Sequence, residues 1–191
     1  MRPRAGEEVL VDGVRINNRL YTATSPADTL PASMIETLEY FGLATELDAF
    51  SVQYVLTWAA THPEVIARLD GVTLNLSACT LVDGRFMNRL YHDARSLGLP
   101  PGKLGFEITE TAAIQHLDLA ADLIRDFHQI GCTFSLDDFG SGLSSFGYLH
   151  SLPVDEVKID KSFVMNMMQD SQDVAIVRIS AWICSIIVSP S

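Results

Sequence analysis

The order of segments between Val72 and Asp160 constrains this chain more than any other feature. Strand-like and helix-like stretches alternate there. "VTLNLS" (Val72–Ser77) reads as a strand. "DGRFMNRLYHDARSLG" follows, with Phe86, Leu90 and Ala94 at helical spacing and Gly98 as a natural stop. "KLGFEIT" (Lys103–Thr109) is the next strand, and "LDLAADLIRDFHQIG" the next helix. Leu119, Leu123, Phe127 and Ile130 form its expected apolar side, and Gly131 ends it. "CTFSLDD" is a third strand; a loop and a short helical piece lead to a fourth, "DEVKID" (Asp155–Asp160). Parallel strands need such crossovers, so the expected class is α/β with a parallel sheet. Upstream, "SMIETLEYFGL" and "ELDAFSVQYVLTWAATHP" read as helical and "EEVLVDGVRI" as a strand. No linker divides the chain, so residues 1–191 are expected to form one domain.

Polar residues recur at one end of these strands. Asn75 is near the carboxyl end of the first, Glu107 and Glu110 of the second, Asp137 and Asp138 of the third, Lys158 and Asp160 of the fourth. In a parallel barrel or an open parallel sheet that end carries the ligand. An amide with several carboxylates is an all-oxygen set suited to Mg²⁺ or Mn²⁺. Two such ions clamping a phosphodiester is the matching chemistry. Each residue also has a plainer reading. Asp137–Asp138 ahead of Gly140 is also a composition found in solvated turns. Glu107 is harder to dismiss, because a carboxylate within an apolar strand is costly unless paired, and Lys158 is a candidate partner.

The balance of 24 acidic and 13 basic residues, a net charge of −11, argues against a nucleic-acid polymer as partner. It leaves room for an anionic small ligand carried by metal ions. The cysteines, Cys79, Cys132 and Cys184, show neither zinc nor disulfide spacing, which fits a reducing, cytoplasmic compartment. The opening "MRPRAGEEVL" has no apolar signal region. The longest apolar stretch, "AIVRISAWICSIIV" (Ala175–Val188), is interrupted by Arg178 and is too short to span a bilayer. It reads as a buried helix, so no membrane segment is expected.

Four segments, "LNLS", "FEITET", "LDDFGSGLSSFGYL" and "LPVDEVKIDKSFV", together resemble the EAL domain, the bacterial phosphodiesterase that opens cyclic di-GMP to linear pGpG. The family's loop signature, DDFG-S-G-x-SS, is intact from Asp137 to Ser145, and residues 34–175 carry the match. The resemblance implies a TIM-like (β/α) barrel of the EAL type. It implies that Asn75, Glu107 and Asp137 ligate one catalytic Mg²⁺ or Mn²⁺, and that Asp137 and Asp138 take part in a second site. Lys158 resembles the lysine that orients or helps activate the attacking water, and Glu110 the glutamate that holds the loop. Phe139, Gly140, Ser141, Gly142, Ser144 and Ser145 fall on that loop, which in the family supports metal binding and dimer contacts. The implied partners are cyclic di-GMP and, through the loop, a second copy of the chain.

The resemblance weakens at both ends. The nearest match to the namesake Glu-Ala-Leu is Glu8-Val9-Leu10, which makes Glu8 a further candidate metal ligand. The family's following phosphate-holding arginine is replaced by Asp12, and residues 1–33 diverge. Residues 176–191, with the tail "AWICSIIVSPS", do not match the family's last two barrel strands, which carry another metal-binding glutamate and a glutamine. The expected barrel is therefore incomplete. Two functions compete: metal-dependent hydrolysis of cyclic di-GMP, and a degenerate EAL module that binds nucleotide or a protein partner without turnover.

Overall fold

The computed structural model describes the backbone at residues 10–11, 14–15 and 19–20, and the chain over residues 40–140 and 146–159. Glu8, Asp12, Asp160, the loop residues Ser141, Gly142, Ser144 and Ser145, and the C-terminal tail lie outside the described residues.

Among the described residues, four parallel strands form the central sheet in sequence order: β4 (Val72–Asn75), β5 (Leu104–Thr109), β6 (Thr133–Phe139) and β7 (Glu156–Ile159). Helices α3 (Ala78–Leu81) and α4 (Gly84–Leu97) cross from β4 to β5. Helices α5 (Glu110–Gln115) and α6 (Leu117–His128) cross from β5 to β6, and a 3-10 turn (Phe146–His150) precedes β7. Helices α1 (Ala44–Thr61) and α2 (Pro63–Arg68) come before the sheet. The α4 boundaries follow directly from local chemistry. The Asp83 carboxylate accepts the amides of Arg85 and Phe86 at 3.0 Å, and Gly98 takes the left-handed conformation (φ 58°) that glycine adopts without strain. Among the described residues no helix is long and apolar enough to cross a membrane.

The two faces of the sheet differ sharply. The face under the helices carries Leu104, Phe106 and Ile108 of β5 and Phe134 and Leu136 of β6, all buried. Phe106, Phe127 and Phe134 meet with ring centroids 5.3–5.7 Å apart, and Tyr91 packs edge-on against Phe127. Helix α6 buries a face shifted from the expected one, keeping Phe127 on it, with Leu123 and Ile130 packed partly buried against the core. Ala120, Ala121, Ile124 and Phe127 are buried, whereas Leu119 is exposed and Leu123 only partly covered. The buried face is rotated toward Ala120, Ala121 and Ile124, and Leu119 is the expected position it leaves exposed.

The expected strand at "EEVLVDGVRI" is also different. Leu10–Val11 (β1) pairs antiparallel with Val14–Arg15 (β2), which pairs with Arg19–Leu20 (β3), in a sheet separate from β4–β7. The residues between β1 and β2 are Asp12-Gly13, the dipeptide that favours two-residue hairpins over a continued strand.

Candidate functional site

The other face of the central sheet is polar. Side chains alternate along a strand, so Thr73 and Asn75 of β4, Glu107 and Thr109 of β5, Thr133, Ser135 and Asp137 of β6, and Glu156 and Lys158 of β7 share it. Contacts across strands agree. Ser135 donates to Glu156 at 3.2 Å, and Lys158 donates to Glu107. Gly105 sits between threonines on this face: a Cβ there would lie 2.8 Å from Thr133 Oγ1 and 3.3 Å from Thr73 Oγ1.

At the carboxyl end of this face the sequence candidates converge. Asn75 and Glu107 are register partners on β4 and β5, and Thr109 is the register partner of Asp137 on β6. Glu107 is only 2% exposed. Its carboxylate pairs with Lys158, whose side chain is 34% exposed, so the lysine supplies the counter-charge that a buried carboxylate requires.

The adjacent aspartates are separated by backbone geometry. The pairing of β6 with β7 shifts register between Leu136 and Phe139, and Asp138 adopts a positive φ of 54°. Strict alternation would send Asp138 toward the apolar helix layer. The bulge instead leaves Asp138 exposed and Phe139 buried, while Asp137 stays half-buried. Asp is one of the few residues that tolerates this conformation.

Glu110 anchors the loop that follows. It is 1% exposed, and its Oε2 accepts the Gly140 amide at 2.8 Å. Its Oε1 accepts the Tyr148 hydroxyl. The two ends of the loop, Gly140 and Tyr148, are thus tied to one carboxylate. Tyr148 falls within the loop segment legible in the sequence, but nothing local marks it as a partner of Glu110.

An amide and two carboxylates on one face are oxygen donors of the kind that hold hard divalent cations, so Asn75, Glu107 and Asp137 fit such an ion by chemistry. Among the described residues no three His, Cys, Asp or Glu side chains gather into a ready-made metal cluster, and the set depends on the Asn75 amide.

Residues 6–187 match the profile of the EAL domain family. The chain is 34% identical over 156 residues to the cyclic di-GMP phosphodiesterase PdeB of Shewanella oneidensis, covering 82% of this chain and 18% of that protein. The chain therefore spans about a fifth of the length of such curated relatives. Its fold superposes on the EAL domain of Mycobacterium smegmatis DcpA with a TM-score of 0.67 at 29% identity, covering 76% of this chain and 65% of that one. On the FimX EAL domain from Pseudomonas aeruginosa, solved bound to c-di-GMP, the TM-score is 0.72 at 25% identity, covering 89% of this chain and 67% of that one.

Proposed function

Because the chain belongs to the EAL domain family, we propose that it hydrolyses cyclic di-GMP to linear pGpG in a reaction that depends on Mg²⁺ or Mn²⁺. The observation that carries this reading is the convergence of Asn75, Glu107, Asp137 and Lys158 on one polar sheet face, at the carboxyl ends of parallel strands. Asn75, Glu107 and Asp137 would hold one cation. Asp138, beside Asp137, would contribute toward a second, with Glu8 a further ligand by position. Such ions, when bound, polarise a phosphoryl oxygen and lower the pKa of a coordinated water.

The chain's own groups do the rest. Lys158 places an ammonium against Glu107, where it balances carboxylate charge and can orient a water for attack on phosphorus. Glu110 fixes Gly140, and with it the backbone that follows Asp137 and Asp138. Phe139 is buried and anchors that backbone in the core. Gly140, together with Ser141, Gly142, Ser144 and Ser145, would line the loop toward the nucleotide or toward a second copy of the chain.

The competing reading is a module that binds nucleotide or a protein partner without turnover. It is favoured by one observation: Lys158 already satisfies the carboxylate that would ligate the ion. The deciding assay follows pGpG formation by the purified chain with Mg²⁺ or Mn²⁺. Turnover that stops with a chelator, and that Glu107→Gln and Asp137→Asn abolish while the fold persists, supports hydrolysis. Full rate in either variant would refute the ligand assignment. Absence of turnover in a cooperatively unfolding sample would favour the binding module.

A further inference from the structure

Asn75 is the last residue of β4, so its position depends on what fixes the chain just after it. Two backbone bonds do so. The Leu76 amide donates to the Glu107 carbonyl at 2.8 Å. The Ser77 amide donates at 2.8 Å to Oδ2 of Asp48, on helix α1. The same Asp48 oxygen accepts the Thr80 hydroxyl at 2.6 Å. Thr80 Oγ1 in turn accepts from the Ser77 hydroxyl at 3.0 Å, and Ser77 Oγ accepts the Thr80 amide at 3.3 Å as the N-cap of α3. The exit from β4 is therefore held by β5 on one side and by a carboxylate from α1 on the other.

Asp48 is an unusual choice for packing alone. It is 9% exposed and shares the buried side of α1 with Ala44, Val52, Val55, Leu56 and Ala59. A carboxylate in an apolar stripe is unfavourable unless its hydrogen bonds are supplied, and here they come from the strand exit itself. What the carboxylate adds over an alanine or leucine is a fixed connection between α1 and the residues flanking Asn75.

We propose that Asp48 is a positioning residue for Asn75, locking the β4 exit so that Asn75 stays in register with Glu107. This rests on the reading of Asn75 as a metal ligand. The test is Mn²⁺ binding by the whole chain, measured by calorimetry, alongside amide hydrogen exchange at Leu76 and Ser77. Asp48→Ala is expected to lose 10- to 100-fold in Mn²⁺ affinity, about the effect of removing a group that orients a ligand, and to exchange Ser77 faster. Asp48→Asn, which keeps a carbonyl acceptor, is expected to lose less. Wild-type affinity in a folded Asp48→Ala protein, or equal losses in Asp48→Ala and Asp48→Asn, overturns the proposal. Should Asp48→Ala not fold, Thr80→Val removes one of the two bonds; a smaller loss supports the proposal and unchanged affinity overturns it. Asn75→Ala separates the two levels of the argument. If it binds Mn²⁺ as the wild type does, or if the wild type binds none, the site reading falls and the proposal with it. If Asn75→Ala loses affinity while Asp48→Ala does not, only the positioning role falls.

Discussion

Replacing Lys158 by methionine tests the electrostatics of the sheet face directly. The side chain keeps its length and apolar stem but leaves Glu107, 2% exposed, without its lysine. Removing one partner of a buried ion pair costs about 3–5 kcal/mol. Lys158 is itself 34% exposed, so water reaches the site, and the expected loss falls to about 2–4 kcal/mol. For a chain of this length that corresponds to a fall in Tm of roughly 5–15 °C. Glu107→Gln removes the opposite charge, and the stranded ammonium can turn toward solvent, so its loss is about 1 kcal/mol. The double variant should resemble Glu107→Gln alone, which gives a coupling of about 2–4 kcal/mol in magnitude. Urea unfolding of the four proteins near neutral pH measures each term. A Lys158→Met loss within about 0.5 kcal/mol of zero, or a Glu107→Gln loss exceeding it, would refute the reasoning, because the buried partner would not then be the one that needs neutralising.

Four further outcomes are expected. Tyr148→Phe removes a donor from buried Glu110; it should destabilise the fold by about 1–3 kcal/mol and speed amide exchange at Gly140, and unchanged exchange would dissociate Tyr148 from the loop. Gly105→Ala forces a Cβ to 2.8 Å from Thr133 Oγ1; the expected loss is about 1–3 kcal/mol, and it should shrink in a Thr133→Ala background. Burial raises the Cys132 thiol from 9.0 to about 11, so between those pH values the unfolded chain has lost a proton that the folded chain retains. Its contribution to stability is thus present below pH 9 and lost as pH rises toward 11, and a Cys132→Ala variant should show a flatter decline. Peptide mapping after alkylation under native conditions should find exposed Cys79 labelled and buried Cys132 protected.

Much of the site was legible because it rests on local order. The alternation from Val72 onward dictates parallel strands, and parallel strands bring Asn75, Glu107, Asp137 and Lys158 to one edge whatever the details of packing. Glu107 within an apolar run announced the need for a partner, and the structure supplies Lys158. What the sequence did not reveal are contacts between residues far apart along the chain. Asp48 reaches Thr80 across 32 positions, and Glu110 reaches Tyr148 across 38. The first could have been suspected, since Asp48 interrupts the apolar side of α1, but its partner could not.

Periodicity carries information over about a helical turn or a pair of strand residues, and it located the strands and the helix boundary at Gly98. On α6 it placed Phe127 correctly, against Phe106 and Phe134, but not Leu119, which is exposed while Ala120, Ala121 and Ile124 are buried. It failed again at Asp138, where the register shift against β7, not the residue type, decides which way the second aspartate faces. The amino-acid sequence alone determined which groups reach the carboxyl edge of the sheet. Only tertiary structure decided how they are held there, because register, bulge and inter-element hydrogen bonds are set by packing between segments that no local pattern connects.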